Sequence, residues 1–181
     1  KMTYRELNEA TDRFAAAIQQ LGVGKGDRVS LMLPNLPQYV IAYFGTIKAG
    51  AVVVNTNPTY TPRELRHQLE DSGAKVIVLL SGLYDRLVQI REHTQIEHVI
   101  IADVPDSLGW PFKNLEDKQV RAGGMMKNLP PEKDIHAFYP LLKDAPPKPA
   151  VQKPHMDDVI LFQYSGGTTG TPKAAMLTHR N

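Results

Sequence analysis

The sequence predicts an α/β fold, a doubly wound, mostly parallel sheet with flanking helices. Two observations carry that prediction. Short apolar runs rich in β-branched residues recur at 28–33, 51–55, 75–80 and 98–102, and a helical pattern separates each from the next. Unbroken apolar runs of this length suit strands buried on both faces, the condition of a parallel sheet. Regular alternation with helices then sends right-handed crossovers over both faces.

Each element has its own local reason. Thr3 and Glu6 have the spacing of a capping box, so a helix is expected to start there. Leu7, Phe14, Ile18 and Leu21 recur near helical spacing, and Gly22 offers a stop. Gly24 to Asp27 forms a turn into the first strand, which Pro34 ends. Leu36 to Lys48 repeats the helical pattern, with Tyr39, Val40, Tyr43, Phe44 and Ile47 on one side and Gly50 beyond its end. Thr61, Pro62 and Glu64 combine a threonine cap, a proline at the first helical position and a glutamate at the third, which predicts a helix to about Ser72-Gly73. A single further helix is expected from Leu83 to Thr94. Ligands of such sheets collect at the carboxyl ends of strands, which singles out 55–60. Asn55-Thr56-Asn57-Pro58 is also plain turn chemistry, and the turn reading is preferred.

The chain divides by character into 1–102, 103–153 and 154–181. With 181 residues, 21 basic and 19 acidic, its net charge of +2 gives no reason to expect a nucleic-acid partner. The absence of cysteine excludes disulfides and thiolate zinc sites. No apolar run approaches the roughly 18 residues of a spanning helix. The six histidines, His67, His93, His98, His136, His155 and His179, show no metal-ligand spacing, so no metal held by protein alone is expected. Residues 103–153 carry prolines at 105, 111, 130, 131, 140, 146, 147 and 149 without any sustained period, which predicts a long irregular surface connection. Its less polar middle, Leu108, Trp110, Phe112, Leu115, Met125 and Met126, is expected to pack on the domain; a second protomer or a membrane surface is the alternative.

The stretch with the most chemistry is Tyr164-Ser165-Gly166-Gly167-Thr168-Thr169-Gly170-Thr171-Pro172-Lys173, preceded by the apolar run 159–162. Glycines let successive backbone amides point into one concavity, hydroxyls add donors, and a lysine adds a full charge, a composition that suits phosphates. It is not a Walker A loop: Lys173 follows proline, Ala174 replaces the magnesium-binding hydroxyl, and no helix start follows. Nor is it a nucleophile elbow, since Gln163 stands where the first glycine would be. A strand, a loop and a second strand are expected. On composition alone an ordinary Gly/Thr hairpin remains an alternative.

The run from Gln163 to Asn181 resembles the phosphate-loop signature of the adenylate-forming enzymes, the superfamily of acyl-CoA synthetases, peptide-synthetase adenylation domains and luciferases. The Gly166-Gly167 pair and Met176-Leu177-Thr178-His179-Arg180-Asn181 are most similar to long-chain fatty-acid-CoA ligases. Gly26 to Val29, Leu33 to Tyr39, Lys48 to Pro58 and Tyr60 to Lys75 resemble the N-terminal subdomain of the same enzymes. Ala174 departs from the pattern, which usually has glycine there.

The resemblance implies an N-terminal fragment of the acyl-CoA synthetase fold. It implies a ligase that activates a fatty acid with ATP to acyl-AMP and pyrophosphate, then forms the thioester with coenzyme A. Ser165, Gly166, Gly167, Thr168, Thr169, Gly170 and Lys173 are the implied ATP-phosphate-binding residues, with Mg2+ arriving on the nucleotide. Catalytic residues are implied to lie beyond the point matching Asn181, so the fragment is expected to be inactive alone and to self-associate as a homodimer. A cytoplasmic enzyme is expected, with peripheral membrane contact left open. The alternatives are a non-catalytic nucleotide-binding module and a synthetase of another acyl or aryl substrate.

Overall fold

The computed structural model describes residues 2–103, 126–129, 131–150, 152–165 and 172–181. Among them, strands β1 (Arg28–Met32), β2 (Val52–Asn55), β3 (Val76–Leu79), β4 (His98–Ile101), β5 (Ile135–Ala137), β6 (Val159–Ser165) and β7 (Lys173–Thr178) form one sheet. Its order is β5-β4-β3-β1-β2-β6-β7. Every neighbouring pair is parallel except β6 and β7, which are antiparallel. The expected doubly wound sheet is therefore present.

Helices α1 (Tyr4–Gln20), α2 (Pro37–Lys48), α3 (Pro62–Ser72), α4 (Tyr84–Val88) and α5 (Phe138–Asp144) cover both faces. Phe14, Ile18, Ile41 and Phe138 from α1, α2 and α5 pack with Val29 and Leu31 on one face. Leu65, Leu69 and Leu87 from α3 and α4 pack with Met32, Ile77 and Leu79 on the other. Both capping boxes form. Thr3 N donates to Glu6 Oε2 at 2.7 Å and Thr61 N to Glu64 Oε2 at 2.8 Å, with each threonine hydroxyl accepting in return from the glutamate amide. Thus α1 and α3 start where the sequence places them.

The far end of α3 is fixed just as firmly. Gly73 takes φ 59 as its left-handed cap, and the Arg28 guanidinium donates to the carbonyl oxygens of Ser72 and Gly73 at 2.8 Å each. A side chain at 73 would be strained by that φ, and its Cβ would lie 2.7 Å from Arg28 Nη2.

Two expectations fail locally. The single helix over 83–94 is a 3-10 turn (Ser81–Leu83), the short α4, and a second 3-10 turn (Arg91–His93). Tyr84, Leu87 and Ile90 are the buried apolar residues of this stretch. The Ser81 backbone amide and hydroxyl are also held by Asp103 Oδ1, at 2.8 and 2.9 Å, which pins the first turn.

Nor is 103–153 irregular throughout, because β5 and α5 lie inside it. Phe138 is fully buried with its ring 5.5 Å from that of Phe14. Pro140 sits in the first turn of α5, where its missing N–H costs no helical bond. The chain then returns along α1, where Arg13 donates to the Ala145 carbonyl and Gln19 exchanges two bonds with Ala150. Of the apolar patch expected in this stretch, Met126 is half-buried; the other five residues lie outside the described set.

The helix pair α1 and α2 meets at Gly45, where an added Cβ would lie 2.7 Å from Phe14 Cδ1 and 3.0 Å from the Thr11 carbonyl oxygen. Gly45→Ala gains helix propensity of about 1 kcal/mol but forces those atoms apart. Urea unfolding is expected to show a net destabilisation of about 1–2 kcal/mol; a more stable variant would mean that the helices separate freely.

At the other edge, His136 on β5 lies 3.2 Å from His98 on β4, nitrogen to nitrogen. Burial, then the neighbouring His98, lowers the His136 pKa from its ordinary 6.5, against an opposing pull from Asp134. The unfolded chain therefore binds this proton at higher pH than the folded one does. The contribution to stability is present above about pH 6.5 and is lost as pH falls through the lowered value. Thermal midpoints recorded from pH 7.5 to 5 are expected to fall less steeply for His136→Gln than for the parent.

Candidate functional site

The antiparallel register of β6 and β7 assembles the site from two ends of one hairpin. Ser165 is the last residue of β6, Lys173 is the first of β7, and the two are paired across the ladder. Gly166, Gly167, Thr168, Thr169 and Gly170 lie between them and outside the described residues. Of the predicted site residues, Ser165 and Lys173 are placed, side by side and both exposed. The Lys173 side chain makes no hydrogen bond or ion pair with another described residue. Among the described residues the Ser165 hydroxyl reaches the Lys173 carbonyl, at 3.5 Å. Strand, loop and strand is the order expected.

Ala174 is explained by the same register. It stands in extended β7 opposite Tyr164, and no described residue other than glycine has positive φ. An extended position accepts a Cβ without strain.

The inbound strand is held from both faces. Gln163 pairs in register with Asn55 at the end of β2, whose Nδ2 donates to Gln163 Oε1 at 2.7 Å. Asn55 Oδ1 in turn accepts from Tyr39 Oη on α2 at 2.8 Å. Burial raises the Tyr39 pKa, so it stays a neutral donor. The next residue points the other way, as strand alternation requires: Tyr164 Oη donates to Asp71 Oδ2 on α3 at 2.6 Å. Burial first, and the bond to Asp71 second, push the Tyr164 phenol well above its ordinary range. On the outbound strand, His67 Nε2 lies 3.4 Å from the Pro172 carbonyl oxygen.

Beside these stems a cleft of about 410 Å³ opens at the carboxyl ends of β1, β2 and β6, lined by Leu33, Tyr39, Asn55, Asn57, Tyr60, Gln163 and Tyr164 among others. This is the 55–60 region picked out from the sequence. Asn57 does serve a turn, its Oδ1 accepting from the Thr59 amide and hydroxyl at 2.9 and 2.8 Å. Asn55, however, links the stem to α2, a role that turn chemistry alone does not show. A smaller cleft of about 270 Å³ lies at the amino ends of the strands. Two of its lysines are already paired, Lys25 with Asp158 at 2.6 Å and Lys48 with Asp12 at 2.5 Å, so the cleft beside the hairpin is the better candidate. Sequence reasoning missed Tyr39, His67 and Asp71 as neighbours of the site, and gave Tyr164 no role beyond opening the segment. The one available signal was the i, i+4 spacing of His67 and Asp71 on a predicted helix.

Comparison with known proteins bears on the family. A long-chain-fatty-acid–CoA ligase of Escherichia coli O157:H7 is 45% identical over 186 residues, covering 99% of this chain and 32% of the relative. Its counterpart in Bacillus subtilis strain 168 is 36% identical over 185 residues, covering 100% of this chain and 32% of the relative. The crystal structure of a long-chain-fatty-acid-CoA ligase from Archaeoglobus fulgidus superposes with a TM-score of 0.76 at 30% identity, covering 98% of this chain and 30% of that one. The chain thus spans about a third of the length of the curated relatives it matches. The family description "AMP-binding enzyme" matches residues 1–181. The chain belongs to the AMP-binding enzyme family.

Proposed function

We propose that this chain is the phosphate-binding part of an ATP-dependent, AMP-forming long-chain fatty-acid–CoA ligase. The observation that carries the reading is the register of β6 and β7, which sets Ser165 opposite Lys173. It occurs in a chain 45% identical, over 99% of its length, to a ligase of that name.

In the proposed reaction a fatty-acid carboxylate attacks the α-phosphorus of ATP, forming acyl-AMP and releasing pyrophosphate. The thiol of coenzyme A then attacks the acyl carbon and displaces AMP, leaving the thioester. A carboxylate is a poor electrophile, and adenylation converts one of its oxygens into a good leaving group. Ser165, Thr168 and Thr169 offer hydroxyls to the β- and γ-phosphates, Gly166, Gly167 and Gly170 offer backbone amides, and Lys173 neutralises charge as pyrophosphate departs. Among the described residues no group of three acidic or histidine side chains forms a cation cage. Mg2+ is accordingly proposed to enter on the nucleotide's phosphate oxygens. No helix among the described residues is long and apolar enough to cross a membrane, so any contact with lipid is proposed as peripheral. Homodimerisation through the exposed edge strand β7 remains part of the proposal.

The test is fatty-acid-dependent exchange of labelled pyrophosphate into ATP by the complete gene product and by its Lys173→Ala variant. The parent is expected to exchange, and the variant to fall about a hundredfold or more. Because Lys173 is exposed and has no side-chain partner among the described residues, its removal is expected to change unfolding free energy by no more than about 0.5 kcal/mol. Absence of exchange with any carboxylate would replace this reading by a nucleotide-binding module without turnover. Residues 1–181 alone are expected to show no exchange, and sustained acyl-adenylate formation by them would refute that part.

A further inference from the structure

We propose that α3 positions both stems of the glycine-rich segment, through Asp71 on the inbound stem and His67 on the outbound one. The proposal rests on the reading of that segment as the ATP-phosphate site. His67 and Asp71 are four residues apart and share one helix face. Asp71 Oδ2 accepts from Tyr164 Oη at 2.6 Å, and Tyr164 is 7% exposed. His67 Nε2 approaches the Pro172 carbonyl oxygen at 3.4 Å. The residue that follows Tyr164 is Ser165, and the residue that follows Pro172 is Lys173. Each contact therefore fixes the peptide immediately before one of the two placed ligand groups. A carbonyl engaged by His67 is also turned toward the helix, where it cannot face an anion.

What makes α3 suited to this is that nothing about its own stability requires either contact. Its start is secured by the Thr61/Glu64 capping box and its end by Arg28 on the Ser72 and Gly73 carbonyls. Leu65 and Leu69 are fully buried beneath it, and Gln68 Nε2 donates to the Asn55 carbonyl at 2.7 Å. A helix held at both ends and along its length is a fixed reference, and His67 and Asp71 transfer that reference to the hairpin. They are positioning residues: neither is placed to touch the substrate.

The variants are Tyr164→Phe, Asp71→Ala, Asp71→Asn, His67→Ala and His67→Gln in the complete gene product. Steady-state pyrophosphate exchange and tryptic cleavage after Lys173 are read for each. Loss of one hydrogen bond to a charged acceptor is worth about tenfold. Tyr164→Phe and Asp71→Ala are expected to raise the KM for ATP by about that factor while leaving the KM for the carboxylate unchanged. The double variant Tyr164→Phe/Asp71→Ala is expected to be no worse than Asp71→Ala alone, since both remove one bond. Asp71→Asn and His67→Gln, which keep a polar partner, are expected to lie nearer the parent than the alanine variants. Cleavage after Lys173 is expected to quicken in Asp71→Ala and His67→Ala at an unchanged thermal midpoint. An ATP KM within twofold of the parent in both Tyr164→Phe and Asp71→Ala would overturn the proposal. So would equal losses toward ATP and carboxylate that track a fall in thermal midpoint. If the parent shows no exchange at all, the ATP reading fails, and the tryptic rates still decide whether α3 holds the stems.

Discussion

Burial of β1 on both faces is the constraint from which the rest of the structure follows. Val29, Leu31 and Met32 are essentially without solvent contact, and Ser30 at the same depth keeps its hydroxyl satisfied by Thr56 Oγ1 at 2.7 Å. A strand so placed needs a neighbour on each side and a helix layer above and below. The chain supplies them by going to β2 along one face and returning across β1 to β3 along the other. The return crossover is α3. Its place beside the end of β2, and hence beside β6, is a product of the same crossover that covers β1. The contacts of α3 with the hairpin therefore need no separate folding event.

Position rather than stability is the theme of the polar groups near the hairpin. Tyr39, Asn55 and Gln163 form a short chain of hydrogen bonds at the cleft mouth, where water competes and each bond contributes about 1 kcal/mol or less. Their effect is geometric. Gln163 ties β6 to the α2 side and Tyr164 ties it to the α3 side, so the strand that leads into the glycine-rich segment has its direction set from both faces one residue before Ser165. Hydrophobic burial holds the sheet, and hydrogen bonds aim its edge.

The alternation, both capping boxes and the strand-loop-strand order at 159–178 were legible because each rests on local chemistry, a threonine three residues before a glutamate or an apolar run between breakers. Three things were not. The helix expected over 83–94 is three short pieces instead, and the bonds from Ser81 to Asp103, 22 residues on, that hold the first of them leave no local trace in the sequence. The element at 138–144 hid behind Pro140, which reads as a breaker until Phe138 is known to fill the gap beside Phe14. At the site, Ser165 and Lys173 could be named from composition, whereas Asp71 and His67 could not. Their partners lie 93 and 105 residues away, and only the crossover of α3 brings them together.

The hairpin also bears on why the proposed phosphate site would use a lysine. In many phosphate-binding α/β proteins a strand passes through a glycine-rich turn into a helix, whose N-terminal amides and dipole supply about half a positive charge toward the anion. Here the described chain enters strand β7 directly after Pro172, so the segment is followed by a strand and not by a helix. A β-strand carries little net dipole of its own. On the proposed reading, backbone amides and hydroxyls of the segment would orient a phosphate, while compensating the charge of a departing pyrophosphate would need a formal cation. Lys173 is the first residue at which the chain can provide one, and Pro172 before it restricts the backbone from which its stem leaves. On that reading, a carboxylate paired with Lys173 would cancel the charge the site requires.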